Sequence, residues 1–89
     1  MVFRWNRWNR EHIARHGVSP PEACEVLADA RRSYPMRRAD DKWLVWGRTL
    51  GGRLLQIVFV LGDDDTVFVI HARPLTPNEK RLFRRQQRC

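Results

Sequence analysis

From Leu54 to Leu61 the chain reads Leu-Leu-Gln-Ile-Val-Phe-Val-Leu, apolar at every position but one. So short and so continuous a run is the mark of a central strand covered on both faces. Gly51-Gly52 stands before it and Gly62 to Asp65 after it, and both are turn chemistry. The neighbouring strands are therefore expected to return antiparallel. Upstream, from Lys42, the period is two: Trp43 and Val45 face one way, Leu44 and Trp46 the other. Downstream, Val67 to Arg73 forms the last strand. Strict alternation there places Val67, Val69, His71 and Arg73 on one face, and Phe68, Ile70 and Ala72 on the other. Ser33-Tyr34-Pro35-Met36 is a candidate edge strand, where a proline is tolerated because no partner needs its missing N–H.

Helices are expected on either side of this meander. Phe3-Arg4-Trp5 alternates like a short strand, and Asn6 or Asn9 can then cap a first helix ending at His16, with Gly17 beyond it. Ser19 and Glu22 form a capping box with Pro20 at the first helical position, and Val18 and Ala23 occupy the staple positions. Ala23, Val26, Leu27 and Ala30 give this second helix one apolar face. Thr76, Pro77 and Glu79 repeat the capping logic and open a C-terminal helix. The expected fold class is α+β: an antiparallel meander of three or four strands, two N-terminal helices and a C-terminal helix. With no repeat, linker or low-complexity stretch, residues 1–89 read as one domain.

Charge narrows the class of partner. Seventeen basic residues, all but Lys42 and Lys80 being arginine, face ten acidic ones, giving a net charge of +7. Arginine suits bidentate phosphate contact and stacking on bases, so a polyanion is the expected partner; an acidic protein would satisfy the same field. Cys24 and Cys89 make no disulfide framework, and both are expected to be reduced and neither a nucleophile. No apolar run reaches membrane-span length and no signal-peptide core is present, so the cytoplasm is expected.

Several residues can carry chemistry. Arg81, Arg84, Arg85 and Arg88 fall on one helical stripe beside an apolar ridge that includes Leu82 and Phe83. Such a single-sign stripe either meets a phosphate or protein partner or remains a solvated face. Arg73 precedes a helix N-terminus that favours anions, and can hold a scissile phosphate or pair structurally with Glu79. His12 and His16 stand one turn apart, a zinc-compatible spacing that lacks further ligands in any recognised pattern. As groups titrating near neutrality, His16 or His71 can take the proton of a ribose 2′-hydroxyl, with the other or Lys42 near the leaving oxygen. Asp63-Asp64-Asp65 lacks a calcium loop's ligand spread and reads as a turn. One of Trp43 and Trp46 belongs to the core, leaving the other to stack on a base or pack under a helix.

Taken in order, these residues resemble the BrnT family of toxins. The resemblance runs through Phe3-x-Trp5 with Asn9, His12-Ile13, Arg15-His16-Gly17-Val18 and Pro21-Glu22-Ala23. It resumes at Gly52-Arg53-Leu54-Leu55 and Val69-Ile70-His71-Ala72-Arg73, then Thr76 and Glu79. It implies a toxin of a type II toxin–antitoxin pair, related in fold to RelE-like ribonucleases, which cuts RNA without metal or cofactor. It also implies neutralisation by an antitoxin that binds operator DNA. Carried over by position, Arg73 is the main catalytic candidate, followed by Glu79, Arg53 and His16; His71 joins them on the proton-transfer argument alone. Lys42, Arg48, Arg81, Arg84, Arg85 and Arg88 are the RNA-binding candidates. The chain departs from the family at Asn6, where Asp is frequent, at Asp41-Lys42-Trp43, where Glu and Arg enter the strand, and at His71, where Ser or Thr is usual. The competing expectation is a non-catalytic nucleic-acid-binding or regulatory module of the same fold.

Overall fold

A computed structural model describes residues 1–31, 34–38 and 40–87. The described elements are α1 (Arg7–Ala14), α2 (Pro20–Ala28), β1 (Met36–Arg37), β2 (Trp43–Arg48), β3 (Leu54–Leu61), β4 (Val67–Pro74) and α3 (Pro77–Gln86). The strands form one antiparallel sheet in the order β1-β2-β3-β4. The α+β class holds, and the meander closes with the expected fourth strand, reduced to two exposed residues at the edge. Of the residues expected in that strand, Ser33 lies outside the described set.

Each helix begins where a side chain can satisfy its first free N–H groups. Asn6 caps α1 and Asn9 returns the bond to the Asn6 backbone N–H at 2.8 Å, so the two asparagines form one reciprocal box. Asn9 is fully buried, and its amide also donates to the Arg4 carbonyl at 3.2 Å. Ser19 with Glu22, and Thr76 with Glu79, form the boxes of α2 and α3. The regular part of α1 stops at Ala14, two residues before His16. Gly17 at φ 72 donates to the Ala14 carbonyl and Val18 to the Ile13 carbonyl, closing the helix in a Schellman-type turn. Phe3 makes only an isolated parallel bridge to Val67, so the expected opening strand is a single rung.

The main core lies between the sheet and the two N-terminal helices. Ile13, Val18, Ala23, Val26 and Leu27 meet Val45, Leu55, Ile57, Phe59, Val67, Val69 and Ala72 there. Burying each of the larger aliphatic side chains contributes about 1.5–3 kcal/mol. A second cluster on the opposite face joins Leu54, Leu75 and Phe83, with Tyr34 and Trp46 against it. Trp43 packs on the first cluster and Trp46 on the second, so the two tryptophans do face opposite ways and both serve packing. The apolar ridge of α3 is narrower than expected: Phe83 is buried but Leu82 is 44% exposed. Asp63 to Asp65 form the β3–β4 turn, where Asp64 accepts from the Thr66 hydroxyl and N–H.

One expectation about β4 is overturned. Phe59 pairs with Val69 and Val58 with His71, so Ile70 is an extra residue, a β-bulge. Beyond it the alternation changes parity. Val67, Val69 and Ala72 are buried in the main core, while Phe68, His71 and Arg73 pair with Val60, Val58 and Gln56 on the other face. His71 and Arg73 therefore share a face with Phe68, and not with Val67 and Val69.

α2 approaches the sheet closely at Gly47, where an added Cβ would sit 2.9 Å from Val26 Cγ1 and 3.2 Å from the Val26 carbonyl oxygen. Gly47→Ala should lower unfolding free energy by about 1–3 kcal/mol, as overpacking does. Gly51→Ala, whose Cβ would meet nothing closer than 3.8 Å, should leave denaturant unfolding nearly unchanged.

Candidate functional site

Polar and aromatic groups gather along β4, the edge strand against which α1 packs. His16 and His71 lie with ring centroids 5.3 Å apart at 66°, and His12 lies 6.3 Å from His71. Helical spacing carries the row onward: Trp8 stacks on His12 at 4.9 Å and on Phe68 at 6.1 Å. Arg4 covers the Phe68 ring at 4.9 Å. Trp8 is 52% exposed, which makes it the tryptophan available to an unpaired base. Sequence reasoning looked for that role at Trp43 and Trp46. The one signal pointing to Trp8 was its position one turn before His12.

Burial, then the charges of His16, Arg73 and His12, pushes the His71 imidazole below its ordinary pKa of 6.5. A neutral His71 at pH 7 can accept a proton and is well suited to a base's role. Among the described residues, no three His, Cys, Asp or Glu side chains are grouped to hold a metal ion. Cys24 is half-buried and free, and burial raises its thiol pKa, so it is not poised as a nucleophile.

Arg73 stands two residues beyond His71 but is already engaged. Its two terminal nitrogens donate to both Glu79 carboxylate oxygens at 2.7 Å, to the Pro74 carbonyl at 3.1 Å and to Gln56 Oε1 at 3.2 Å. Only Nε–H is left over. Arg73 holds the Glu79 carboxyl down at about 2, so near neutrality Glu79 is ionised, has no proton to give as an acid and is only a weak base. Arg53 is engaged in the same manner, donating to Glu22 Oε2 at 2.7 Å and to the Gly17 carbonyl at 3.0 Å. Glu22 and Glu79 are both the third residue of a helix and both close its capping box. Each arginine thus ties a helix start to the sheet, and the structural pairing foreseen for Arg73 is the one present.

The remaining candidates scatter. Lys42 precedes β2, two strands from β4, and does not join the histidines. Arg81 is bonded to Asn78 on the exposed side of α3, and Arg85 is exposed. Arg84 turns instead toward Arg48 and Arg53 at the end of the sheet. Arg88 and Cys89 lie outside the described residues. Among those residues, no helix is long and apolar enough to cross a membrane.

Comparison with known protein families, characterised proteins and solved structures finds nothing that matches this chain. The likeness to BrnT toxins accordingly stands on its residue pattern.

Two titrations should separate in acid. His71 has a lowered folded pKa, so its neutral form costs nothing above about 6.5, and stability falls as pH drops below that value. Glu79 is also lowered, so its contribution is present above its ordinary 4.5 and is lost as pH falls toward about 2. Unfolding free energy measured against pH should show both steps. The upper one should shrink in His71→Gln and the lower one in Glu79→Gln.

Proposed function

We propose that the chain is an endoribonuclease toxin of the BrnT kind, cutting RNA without metal at the His16–His71 pair. The observation that carries this reading is the approach of two imidazoles at 5.3 Å on the edge of a strongly basic domain. Neutral His71 takes the proton of a ribose 2′-hydroxyl, and the freed oxygen attacks the adjacent phosphorus. As the bond from phosphorus to the 5′-oxygen breaks, His16 supplies a proton to the leaving oxygen. The products are a 2′,3′-cyclic phosphate and a 5′-hydroxyl end. Trp8 offers a stacking surface for a base beside the cut, which favours single-stranded substrate. Arg73 contributes its field and its Nε–H to the phosphoryl charge, and gains more donors if Glu79 yields.

An acidic antitoxin encoded beside the chain would cover the same basic face, and the pair would bind operator DNA. The cytoplasm is the compartment this role requires.

A second reading has its own support: Arg73 and Arg53 are satisfied by glutamates, which favours a module that binds RNA without cutting it. Purified protein in the presence of a chelator should cleave single-stranded RNA with a bell-shaped pH profile. His71→Ala or His16→Ala should lower kcat about 10²–10⁴-fold at unchanged secondary structure. Intact RNA bound with steep salt dependence would transfer the assignment to the binding module.

A further inference from the structure

Where β2 ends and β3 begins, the surface opens into a hollow of about 180 Å³. The β2–β3 hairpin lines it with Arg48, Gly52, Arg53 and Leu54, the end of β4 with Pro74, and α3 with Lys80 and Arg84. Four of these side chains are cationic and none is acidic. Arg53 is neutralised by Glu22, whereas Arg48, Lys80 and Arg84 form no ion pair among the described residues. Three uncompensated charges around one hollow repel each other, and more strongly beside a protein surface than in open water. An anion entering the hollow turns that repulsion into attraction.

The hollow is smaller than the roughly 300–1,000 Å³ of pockets that enclose a whole small molecule. It suits a compact anion, and its position says which. Pro74 lies three residues along β4 from His71, roughly 10 Å at strand rise. A strand of RNA with one phosphate at the histidines can bring a flanking phosphate to the arginines.

We propose that this hollow is a phosphate subsite that grips the RNA backbone beside the cleaved linkage and sets affinity and register. The identity of the strand rests on the ribonuclease reading; the subsite's taste for phosphate does not. Arg48 and Arg84 are positioning residues here, supplied by two separate elements that only the fold brings together.

The test uses the full chain, the double variant Arg48→Gln/Arg84→Gln, and a control of equal charge change per site, Arg37→Gln, on the far edge strand. Inorganic pyrophosphate titrated by NMR should shift the amides of residues 48–54 and 80–84 in the wild type and not in the double variant. Single-stranded RNA binding by the double variant should show a salt slope shallower by about 0.7 for each phosphate it no longer neutralises, with the control keeping the wild-type slope. If RNA is cleaved, the double variant should raise KM about tenfold with kcat within threefold of wild type. Each single variant, checked for wild-type melting, should show part of the effect. An unchanged salt slope, pyrophosphate shifts elsewhere, or a defect confined to kcat overturns the subsite. So does an acidic peptide that claims the hollow while RNA binding is unaffected. If no RNA is cut but the slope and pyrophosphate results hold, the subsite stands and the nuclease reading falls.

Discussion

The pairing of β3 with β4 gives β4 one residue more than its partner, and the arrangement of polar groups in this domain follows from that bulge. Without it, His71 would point with Val67 and Val69 into a core sealed by Ile13 and Val26. The bulge lets Ala72 fill that core instead and sends His71 and Arg73 to the opposite face. Because β4 is an edge strand, α1 can lie along it and bring His12 and His16 to the displaced imidazole. A ladder irregularity next to a polar cluster is a frequent device for re-aiming a side chain.

The second organising device is the doubled use of a capping glutamate. Glu22 satisfies the Ser19 N–H and an Arg53 guanidinium; Glu79 satisfies the Thr76 N–H and an Arg73 guanidinium. A capping residue is worth about 0.5–2 kcal/mol at a helix start, and here it also fixes the helix to the sheet. Arg53, Glu79 and Arg73 therefore each have a structural task of their own. Their spacing is accounted for by the way two helices dock.

Cationic groups left over from this docking define the surface. The arginines that pair with helix caps are held in place, while Arg48, Lys80 and Arg84 face a common hollow. The arginine stripe expected along α3 is divided by the fold. Arg84 turns toward the hairpin, and Arg81 and Arg85 remain on the solvent side.

Local signals in the sequence determined the elements. The apolar run of β3, the Ser-x-x-Glu and Thr-x-x-Glu boxes, and the glycines at the turns each act through nearby backbone, so they are legible without knowing the partners. The four-strand order follows almost directly, because short turns leave antiparallel neighbours no alternative. The candidate site was legible only in part. His16, His71 and Arg73 could be named, but strict alternation gave β4 the wrong parity past Ile70, and Trp8 was overlooked. A bulge is selected by the fit of both sheet faces to what covers them, and no single strand carries that information. Charge and caps are properties of residues; which arginine is neutralised, and which unpaired cations share a hollow, were settled by the packing of α2 and α3 against the sheet.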